Sequence, residues 1–328
     1  MAVIGKDISH AKSLLEKGEL VAIPTETVYG LAANALDPTA VTKIFTVKDR
    51  PSFDPLIVHV ASAKQVKNYV TGIPTQAKQL IDRFWPGPLT LLLPKKDIIP
   101  DIVTAGFDRV GIRCPDHVLT LSLLEQLSFP LAAPSANPFG YVSPTTPLHV
   151  QDQLGVKIPY ILDGGPCKVG VESTIIGWEN DQPIIYRLGG ISLEQIEVSI
   201  GKVKVQSHST SQPQAPGQLT SHYSPRKKFL LGNINELIKQ YSKSRIGVLS
   251  FRGTSTEQAV EQQILSTSGN LEEATRNLFS MLRRFDTMDV EVVVAEEVPD
   301  VGLGRSINDR LRRAAAPSPT HRSRGEKA

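Results

Sequence analysis

LVAIPTETVYGLAANALDPTAVTKIFTVKDRPSFDPLIVHV, residues 20–60, is the stretch from which the fold of this chain can be worked out. LVAI (20–23) is a short apolar run that predicts a strand leading into the loop PTETVYG. Asp37-Pro38 predicts a helix start, because aspartate caps the first turn and proline suits the first helical position; the helix runs to about Val47. LIVHV (56–60) predicts a second, buried strand. This order is typical of an α/β domain.

The same stretch also contains polar side chains that a hydrophobic core does not require. They are Thr25, Glu26, Thr27 and Tyr29 in the loop, Lys48 and Arg50 beside Pro51, and His59 inside an apolar run. A pocket for an anionic ligand that carries hydroxyl groups could use all of them.

Length and composition restrict the class of protein. The chain has 328 residues, enough for two domains, with 40% hydrophobic and 21% charged residues, as in soluble globular proteins. The net charge of +3 permits contact with nucleotides or RNA without requiring it. Cys114 and Cys167 are too few for a disulfide framework or a zinc site, which favours a reducing compartment. With no signal-peptide pattern and no apolar run near ~18 residues, a cytoplasmic protein without membrane contact is expected.

Short apolar runs alternate with helical patterns up to about residue 200, without a regular βαβ repeat. We therefore predict a mixed, twisted sheet with helices over residues 1–200. Its further strands are predicted at 89–93, 109–113, 130–133, 160–162, 173–178 and 183–188, and its helices at 8–17, 62–69, 74–84, 116–126 and 192–199.

The composition changes after residue 200. Residues 201–225 are rich in Ser, Gln, Thr and Pro, which predicts a linker. Residues 226–316 then predict a small Rossmann-like three-layer domain, in which three strands alternate with three helices. Those strands are expected at 227–231, 245–251 and 291–296, and the helices at 234–241, 271–285 and 306–315. The tail, residues 317–328, is expected to be disordered.

Two pairs of cations are candidates for anion binding. Lys48 and Arg50 lie one residue apart beside a proline, which suits a di- or triphosphate, although basic residues also favour an ordinary helix end. Arg109 and Arg113 flank the strand RVGIR, and their spacing of four puts them on one face. They could hold an anion between them or be two surface arginines.

Three polar residues near strands permit both a structural and a functional interpretation. His59 is either a satisfied core histidine or a contact for a ligand. Ser135 and Asn137 lie in APSANP at a strand end, where α/β sheets place ligands, but the segment is also rich in good turn residues. The phosphate loop, metalloprotease, nucleophile-elbow and kinase motifs are absent from the sequence.

Six segments in order resemble the threonylcarbamoyl-AMP synthase family, in its longer form with an extra C-terminal domain. They are PTETVYGL at 24–31, Lys48 and Arg50 with Ser135 and Asn137, GVESTII at 170–176, Arg187-Leu188-Gly189, Pro216-Gly217 through His222-Tyr223-Ser224-Pro225, and GLGRSINDRLRRAA at 302–315. The resemblance covers nearly the whole chain and implies a YrdC-like catalytic domain over residues 1–200.

The resemblance implies that L-threonine, bicarbonate and ATP are condensed to threonylcarbamoyl-AMP and pyrophosphate, with Mg2+ bound to the ATP. It implies Lys48 and Arg50 as catalytic residues. No protein side chain is assigned as a metal ligand, although Asp54 could either help to hold the metal or cap a turn. The implied ATP-binding residues are Lys48, Arg50, Asp54, Arg109, Ser135, Asn137, Ser143, Arg187, His222 and Tyr223. The implied threonine-binding residues are Thr27, Tyr29, His59, Arg113, Ala133 and Ser173. The product would pass to a tRNA threonylcarbamoyl transferase complex for N6-threonylcarbamoyladenosine formation.

The linker resembles the segment that covers the pocket in the longer form of the family. Residues 201–225 are therefore expected to act as a lid, with Tyr223 and His222 near the nucleotide. A chain cut before residue 201 would then be folded but poorly active. The family often has asparagine or histidine where this chain has Asp54, whose carboxylate would repel phosphate unless Mg2+ or an arginine lies beside it.

Two other functions compete with this one. A basic concave sheet could bind an RNA backbone, but the net charge is modest and only 6% of residues are aromatic. A weak contact with RNA stays open. A carbamoyl-adenylate enzyme of metal-centre maturation would carry zinc-finger-like cysteines and an acylphosphatase segment, and this sequence has neither.

Overall fold

The chain forms two compact units in the computed structural model, which describes residues 1–206, 214–217, 223–253 and 258–316. Residues 1–139 and 143–218 belong to the first unit, and residues 140–142 and 219–328 to the second. The predicted disordered tail, residues 317–328, lies outside the described residues.

A single mixed sheet runs through the described part of the first unit. Its eleven strands follow the spatial order β1-β8-β2-β3-β7-β4-β6-β5-β9-β10-β11. In chain order they are β1 (Val3–Gly5), β2 (Val21–Ile23), β3 (Gly30–Asn34), β4 (Ile57–His59), β5 (Leu89–Pro94), β6 (Arg109–Arg113), β7 (Leu131–Ala132), β8 (Tyr160–Leu162), β9 (Thr174–Glu179), β10 (Gln182–Arg187) and β11 (Lys204–Val205). Parallel and antiparallel pairs both occur, for example β4 with β6 and β5 with β6, which confirms the predicted mixed sheet.

The described part of the first unit contains seven α-helices, and the five that the sequence predicts begin and end close to the predicted positions. The seven are α1 (Ile8–Glu16), α2 (Pro38–Lys48), α3 (Thr75–Phe84), α4 (Asp101–Thr104), α5 (Val118–Gln126), α6 (Pro147–Leu154) and α7 (Leu193–Ile200). The side chains of Asp7 and Asp37 accept hydrogen bonds from backbone N–H groups of α1 and α2, as the sequence predicts for N-caps. The helix predicted at 62–69 is a 3-10 helix, Ala63–Asn68.

Alternating side chains bury both faces of this sheet. Along β2, Ala22 packs into a cluster with residues of α2 and α3, whereas Val21 and Ile23 pack into a cluster with residues of α1 and α5. The period of two in a strand produces this division. Helices on both faces make the first unit a three-layer α/β domain.

Several elements of the first unit were not predicted. The strands β1, β3 and β11 were not predicted, and the helices α4 and α6 lie in segments that the sequence analysis left unassigned. β11 lies inside the predicted linker. Its residues Lys204 and Val205 pair with β10, and this pairing is not evident from the composition of the segment. Ala215, also in that segment, is fully buried, so the described part of the predicted linker contributes to the core more than its composition indicates.

The second unit contains a parallel sheet of four strands within its described residues, in the order β12-β15-β13-β14. These are β12 (Lys228–Leu231), β13 (Ile246–Ser250), β14 (Ala259–Ile264) and β15 (Val292–Ala295), with helices α8 (Ile234–Gln240), α9 (Leu271–Arg284) and α10 (Gly304–Ala315). The Rossmann-like prediction has the right class but lacks β14, whose sequence AVEQQI is half polar because it forms the sheet edge. No helix among the described residues is long and apolar enough to cross a membrane.

Candidate functional site

One face of the central sheet carries several predicted site residues. Val58 and Ile112 point into the core cluster with α2 and α3. The alternation of strands β4 and β6 therefore turns His59, Arg109 and Arg113 to the other face. His59 and Arg113 are register partners on these parallel strands. The expectation that both arginines share a face is thus confirmed.

Lys48 is the last residue of α2 and is 1% exposed. Its Nζ donates hydrogen bonds to the backbone oxygens of Ser135 and Asn137, so the helix end and the APSANP segment meet. The next residue, Asp49, is left-handed (φ 54°) and ends the helix. Burial, followed by the charge of Arg50, lowers the pKa of Lys48 well below its usual value. A bound anion beside Lys48 would favour the protonated, positively charged form of its side chain.

Arg50 and Asp54 form a buried ion pair beside Lys48. Arg50 Nη2 lies 2.9 Å from Asp54 Oδ2, and the side chains are 4% and 1% exposed. Burial raises the pKa of Asp54, while Arg50, Lys48 and Arg187 oppose the rise. Within the described part of the chain, neither Asp54 oxygen accepts a hydrogen bond of good geometry. The structure thus supplies the arginine that a carboxylate near phosphate requires.

Arg187 connects the ends of strands β9 and β10. Its Nε donates to the Ser173 backbone oxygen (3.0 Å) and its Nη2 to Ser173 Oγ (2.9 Å). Ser173 Oγ also lies 2.7 Å from Thr90 Oγ1. Ser173, assigned to threonine, and Arg187, assigned to ATP, are therefore in direct contact. One polar network therefore joins a residue from each of the two predicted sets.

Ser143 and Glu172 form a second buried polar contact. Ser143 Oγ donates to Glu172 Oε1 at 2.6 Å, and the two residues are 0% and 6% exposed. Glu172 was not among the predicted site residues, although it stands within the quoted segment GVESTII. Its contact with Ser143 orients a hydroxyl that the resemblance assigns to ATP.

Residues 214–217, here called the strap, lie against the arginines of this face. Arg109 Nη2 donates to Gln214 Oε1, and Arg187 Nη1 donates to the Pro216 backbone oxygen at 3.2 Å. Arg109 also donates to the Tyr186 hydroxyl (3.1 Å). The space that the strap encloses with Thr90 and its neighbours is about 10 Å3, room for no more than one water molecule. The strap is therefore packed directly on the sheet.

Arg113 pairs with a carboxylate that the sequence analysis did not assign. Glu26 Oε2 lies 2.7 Å from Arg113 Nη2, and the side chains are 3% and 5% exposed. His59, the register partner of Arg113, is buried, and its Nδ1 has no hydrogen-bond partner among the described residues. Burial, then the charge of Arg113, lowers the pKa of His59 to about 3. His59 is thus a neutral imidazole.

Two other predicted threonine contacts belong to the PTETVYG loop. Thr27 is fully buried, and its Oγ1 lies 2.7 Å from Thr25 Oγ1. The Tyr29 hydroxyl donates to the Gly165 oxygen (2.8 Å) and accepts from the Gly164 N–H (3.1 Å). Tyr29 therefore fastens the loop to the glycine-rich segment. Its assignment to threonine stays a prediction.

Three predicted residues have other surroundings. Ala133 is buried, and its N–H donates to the Ile57 oxygen at 3.0 Å, within the sheet. Tyr223 belongs to the second unit, where its ring stacks on Phe279 with centroids 5.5 Å apart and lies 5.2 Å from the Arg310 guanidinium carbon. His222 lies outside the described residues.

No metal cluster marks a site within the parts of the chain described here, and the surface cavity found there is lined by none of the predicted site residues. Groups of three or more His, Cys, Asp or Glu residues that could hold a metal ion are not found there. A surface cavity of about 480 Å3 lies beside the outer side of α2 and contains none of the predicted site residues. Its charged lining residues are Glu19, Lys43 and Lys157. We therefore place the candidate site on the sheet face.

Family models and relatives match nearly the whole chain. The model of the Sua5, YciO and YrdC domain, described as telomere recombination, matches residues 13–189. The model described as the C-terminal domain of threonylcarbamoyl-AMP synthase matches residues 191–316.

Two curated relatives and one solved structure match over nearly their full lengths. The threonylcarbamoyl-AMP synthase of Pyrococcus abyssi is 41% identical over 323 residues, which covers 94% of each chain. That of Bacillus subtilis is 42% identical over 320 residues, or 94% of this chain and 92% of the relative. The crystal structure of P. abyssi Sua5 complexed with L-threonine matches with a TM-score of 0.90 and 40% identity, over 96% of this chain and 97% of that one. The chain therefore belongs to the threonylcarbamoyl-AMP synthase family.

Proposed function

We propose that this protein makes threonylcarbamoyl-AMP and pyrophosphate from L-threonine, bicarbonate and ATP, and is thus a nucleotidyltransferase. The full-length relatives carry the name of this enzyme, and the P. abyssi structure contains L-threonine. The observation that carries the proposal is the contact between Ser173 and Arg187, because it joins a residue that the resemblance assigns to threonine with one that it assigns to ATP.

The cations of this face suit the charges of the substrates. The reaction brings together a triphosphate, a carboxylate and a carbamate, which repel one another in the absence of counter-charge. Burial raises the pKa of Asp54, and the charges of Lys48, Arg50 and Arg187 oppose that rise, so three basic residues lie near one carboxylate. In our proposal, Lys48 and Arg50 hold the phosphates, and the attack of a carbamate oxygen on the α-phosphate is promoted by position and charge.

The lowered pKa of Lys48 has a consequence for ATP binding. Lys48 loses its proton more readily in the free protein than an exposed lysine does. A bound phosphate favours the ammonium form, because an opposite charge raises the pKa of an amine. ATP affinity should therefore fall as the pH rises through the lowered pKa of Lys48.

Mg2+ is expected to enter with the nucleotide rather than to occupy a site made by the protein. It keeps several waters and commonly uses one or two carboxylates together with phosphate oxygens. Asp54 fits such a role, since its buried oxygens accept no well-formed hydrogen bond from the described residues. When bound, Mg2+ would neutralise charge on the departing pyrophosphate.

The threonine side of the site requires a neutral imidazole and a cation. His59 is neutral at physiological pH, because its pKa is lowered to about 3. Its Nδ1 can therefore form a hydrogen bond with the threonine hydroxyl. Arg113 can bind the carboxylate through its fork of N–H groups, while the hydroxyls of Thr27 and Ser173 complete the polar lining.

The strap is proposed to exclude water from the carbamate. Its contacts with Arg109 and Arg187 tie it to two groups that the proposal assigns to ATP. A bound phosphate would accept hydrogen bonds from Arg109 and Arg187 in place of Gln214 and Pro216, so the strap would have to move. Closing over the substrates would protect an intermediate that decomposes in water.

The product is an activated carbamoyl group on AMP, so it must be consumed by a transferase. In our proposal a tRNA threonylcarbamoyl transferase complex performs that step. A direct, weak contact between this protein and RNA is compatible with the net charge of +3. It would appear as salt-dependent RNA binding.

Pyrophosphate release from ATP tests the proposed function. It should depend on both L-threonine and bicarbonate in the wild type, and it should be lost in Lys48→Ala. Lys43→Ala is the matched control, because Lys43 lies on the same helix and contacts Gly18 and Glu19 instead. If folded wild-type protein shows no threonine dependence, the synthase proposal is wrong. Salt-dependent RNA binding without ATP turnover would then favour an RNA-binding module.

A further inference from the structure

Glu26 and Arg113 form an ion pair that lacks the usual support of hydrogen bonds. The two side chains are 3% and 5% exposed and come within 2.7 Å of each other. The contact is close, but within the described residues neither carboxylate oxygen of Glu26, nor Nη2 of Arg113, has a hydrogen bond of good geometry. Such buried charges cost free energy unless further partners satisfy them. A ligand with groups of both signs would supply those partners.

The backbone around Glu26 is fixed from both sides. Thr25 Oγ1 accepts hydrogen bonds from the N–H groups of Thr27 (3.1 Å) and Val28 (3.2 Å). The Glu26 backbone oxygen accepts from the Val169 N–H at 2.7 Å. Because the loop is anchored in this way, the carboxylate is held against Arg113.

The buried titratable side chains around Glu26, apart from Arg113, are neutral near physiological pH, and the exposed Asp116 and Lys168 nearby carry opposite charges. Burial raises the pKa of Cys114 to about 12 and raises that of Cys167 further, while it lowers the pKa of His117. The local charge is therefore that of one carboxylate and one guanidinium, which sum to zero. A neutral site of this kind matches an amino-acid zwitterion.

We propose that Glu26 is a catalytic residue that binds the amino group of threonine, while Arg113 binds the carboxylate, and that Glu26 accepts the proton released when the amine is carbamoylated. This inference rests on the proposed function and adds a residue to it. It assigns the one function that the predicted threonine contacts leave open, namely the recognition and deprotonation of the ammonium group.

The proton balance of carbamoylation requires such an acceptor. An ammonium R–NH3+ and bicarbonate yield the carbamate R–NH–COO−, water and one proton. The N–C bond forms, a C–O bond of bicarbonate breaks, and that oxygen leaves as water with one of the two protons lost from nitrogen. The second proton goes to Glu26. Bicarbonate brings one negative charge and the new carbamate carries one, so the total charge of the site with its ligands is the same before and after the proton moves to Glu26. When the product leaves, this proton passes to solvent and the carboxylate is restored.

His59 and Glu172 are less suited to this role. The pKa of His59 is lowered to about 3, so its imidazole stays neutral and offers no negative charge to an ammonium group. Glu172 accepts a hydrogen bond from Ser143, on the side assigned to ATP. Glu26 lies directly beside the arginine expected to hold the substrate carboxylate.

Calorimetric binding of two ligands tests the proposal. L-threonine is compared with 2,3-dihydroxybutanoate of the same configuration, in which a hydroxyl replaces the ammonium group. The wild type should prefer threonine by about tenfold or more, because a charge-assisted hydrogen bond is lost with the analogue. Glu26→Gln should bind both ligands with affinities within about threefold of each other, and Glu26→Asp should recover part of the preference.

The same data separate failure of the inference from failure of the proposed function. A wild type that binds neither ligand contradicts threonine as the substrate. A wild type that binds both equally overturns the role of Glu26, even if no variant folds. A folded Glu26→Gln protein that keeps the full preference overturns it as well, since a purely structural role would not change the ratio of the two affinities.

Discussion

Arg50 and Asp54 close a five-residue loop with a buried ion pair, in which Arg50 Nη2 lies 2.9 Å from Asp54 Oδ2. The guanidinium also donates from Nε to the Asp54 backbone oxygen (3.1 Å) and from Nη2 to the Pro55 oxygen (2.8 Å). Arg50 is therefore held by the loop that follows it. The Asp54 carboxylate offsets part of the positive charge beside Lys48, while Lys48 and Arg50 both remain in place.

Removing the Asp54 carboxylate should destabilise the protein. Asp54→Ala leaves the Arg50 charge buried without its acid, and breaking a buried pair in this way costs about 3–5 kcal/mol. Asp54→Asn should cost less, because an amide oxygen still faces the guanidinium, but it should weaken the binding of ATP with Mg2+, because the carboxylate proposed to contact the ion is lost. Urea denaturation and ATP titration measure the two effects.

Asp101→Asn is the control for this pair. Asp101 forms an ion pair with Lys95 at 2.9 Å, but its side chain is 81% exposed. Such surface pairs contribute about 0–1 kcal/mol. If Asp54→Ala and Asp101→Asn lower the free energy of unfolding by the same amount, the buried ion pair stabilises the fold no more than the exposed one.

His59 should make stability depend on pH. Its pKa is lowered to about 3 in the folded protein, against 6.5 for an ordinary histidine. The unfolded chain therefore binds more protons between these values, so stability falls as the pH drops from 6.5 towards 3. The slope from this one group approaches 1.4 kcal/mol per pH unit.

Replacing His59 with asparagine should remove that contribution. Urea denaturation of wild type and His59→Asn, at intervals between pH 7 and pH 4, would measure the free energy of unfolding of each. The variant should show the shallower dependence on pH. Parallel pH profiles would mean that His59 titrates normally and does not stay neutral in the fold.

Local patterns were sufficient to predict most of the elements. Asp37-Pro38 and the strand RVGIR are defined by capping and by a short apolar run, which are properties of neighbouring residues. β14 was missed because its stability comes from pairing with β13, while its own sequence AVEQQI places polar residues at the sheet edge. Pairing of that kind cannot be inferred from one segment.

The candidate site was predicted as a set of residues rather than as a set of contacts. Lys48 and Ser135 were both assigned to ATP, but their hydrogen bond spans 87 positions and depends on how the sheet folds. Glu26 was noted as a polar loop residue, and nothing in the sequence indicates that it is the carboxylate beside Arg113. Buried partners are chosen by tertiary packing, which a single sequence does not reveal.

The strap should lose its position when a charge is placed beneath it. Ala215 is fully buried in a cluster with Ile57, Ile175 and Tyr186, so Ala215→Glu would bury an unpaired carboxylate. Relief of that cost requires residues 214–217 to move off the sheet. We expect threonine-dependent pyrophosphate release to fall, because a displaced strap would no longer exclude water from the site.

Val205→Glu is the control for the strap variant. Val205 lies in β11, close to the strap in sequence, but it is 39% exposed. The same change of an apolar residue to glutamate should leave the activity near that of the wild type. If Ala215→Glu is fully active, the strap does not take part in catalysis.

Gly189 should tolerate no side chain, because it packs against the backbone of the site. A Cβ at this position would lie 2.4 Å from the Glu172 oxygen and 2.5 Å from the Thr174 nitrogen. Main-chain atoms cannot rotate away, so Gly189→Ala would push apart the segment that carries Glu172 and Ser173. Overpacking of this kind costs about 1–3 kcal/mol.

Activity should respond to Gly189→Ala more than stability does, because Ser173 is linked to Arg187 and would lose its position. Gly72→Ala is the matched control, since a Cβ there meets no atom within 4 Å. That variant should be as stable as the wild type or slightly more so, because alanine reduces the freedom of the unfolded chain. Urea denaturation and pyrophosphate release separate the two effects. A Gly189→Ala protein with wild-type threonine dependence would show that the Glu172–Thr174 backbone can shift without disturbing the site.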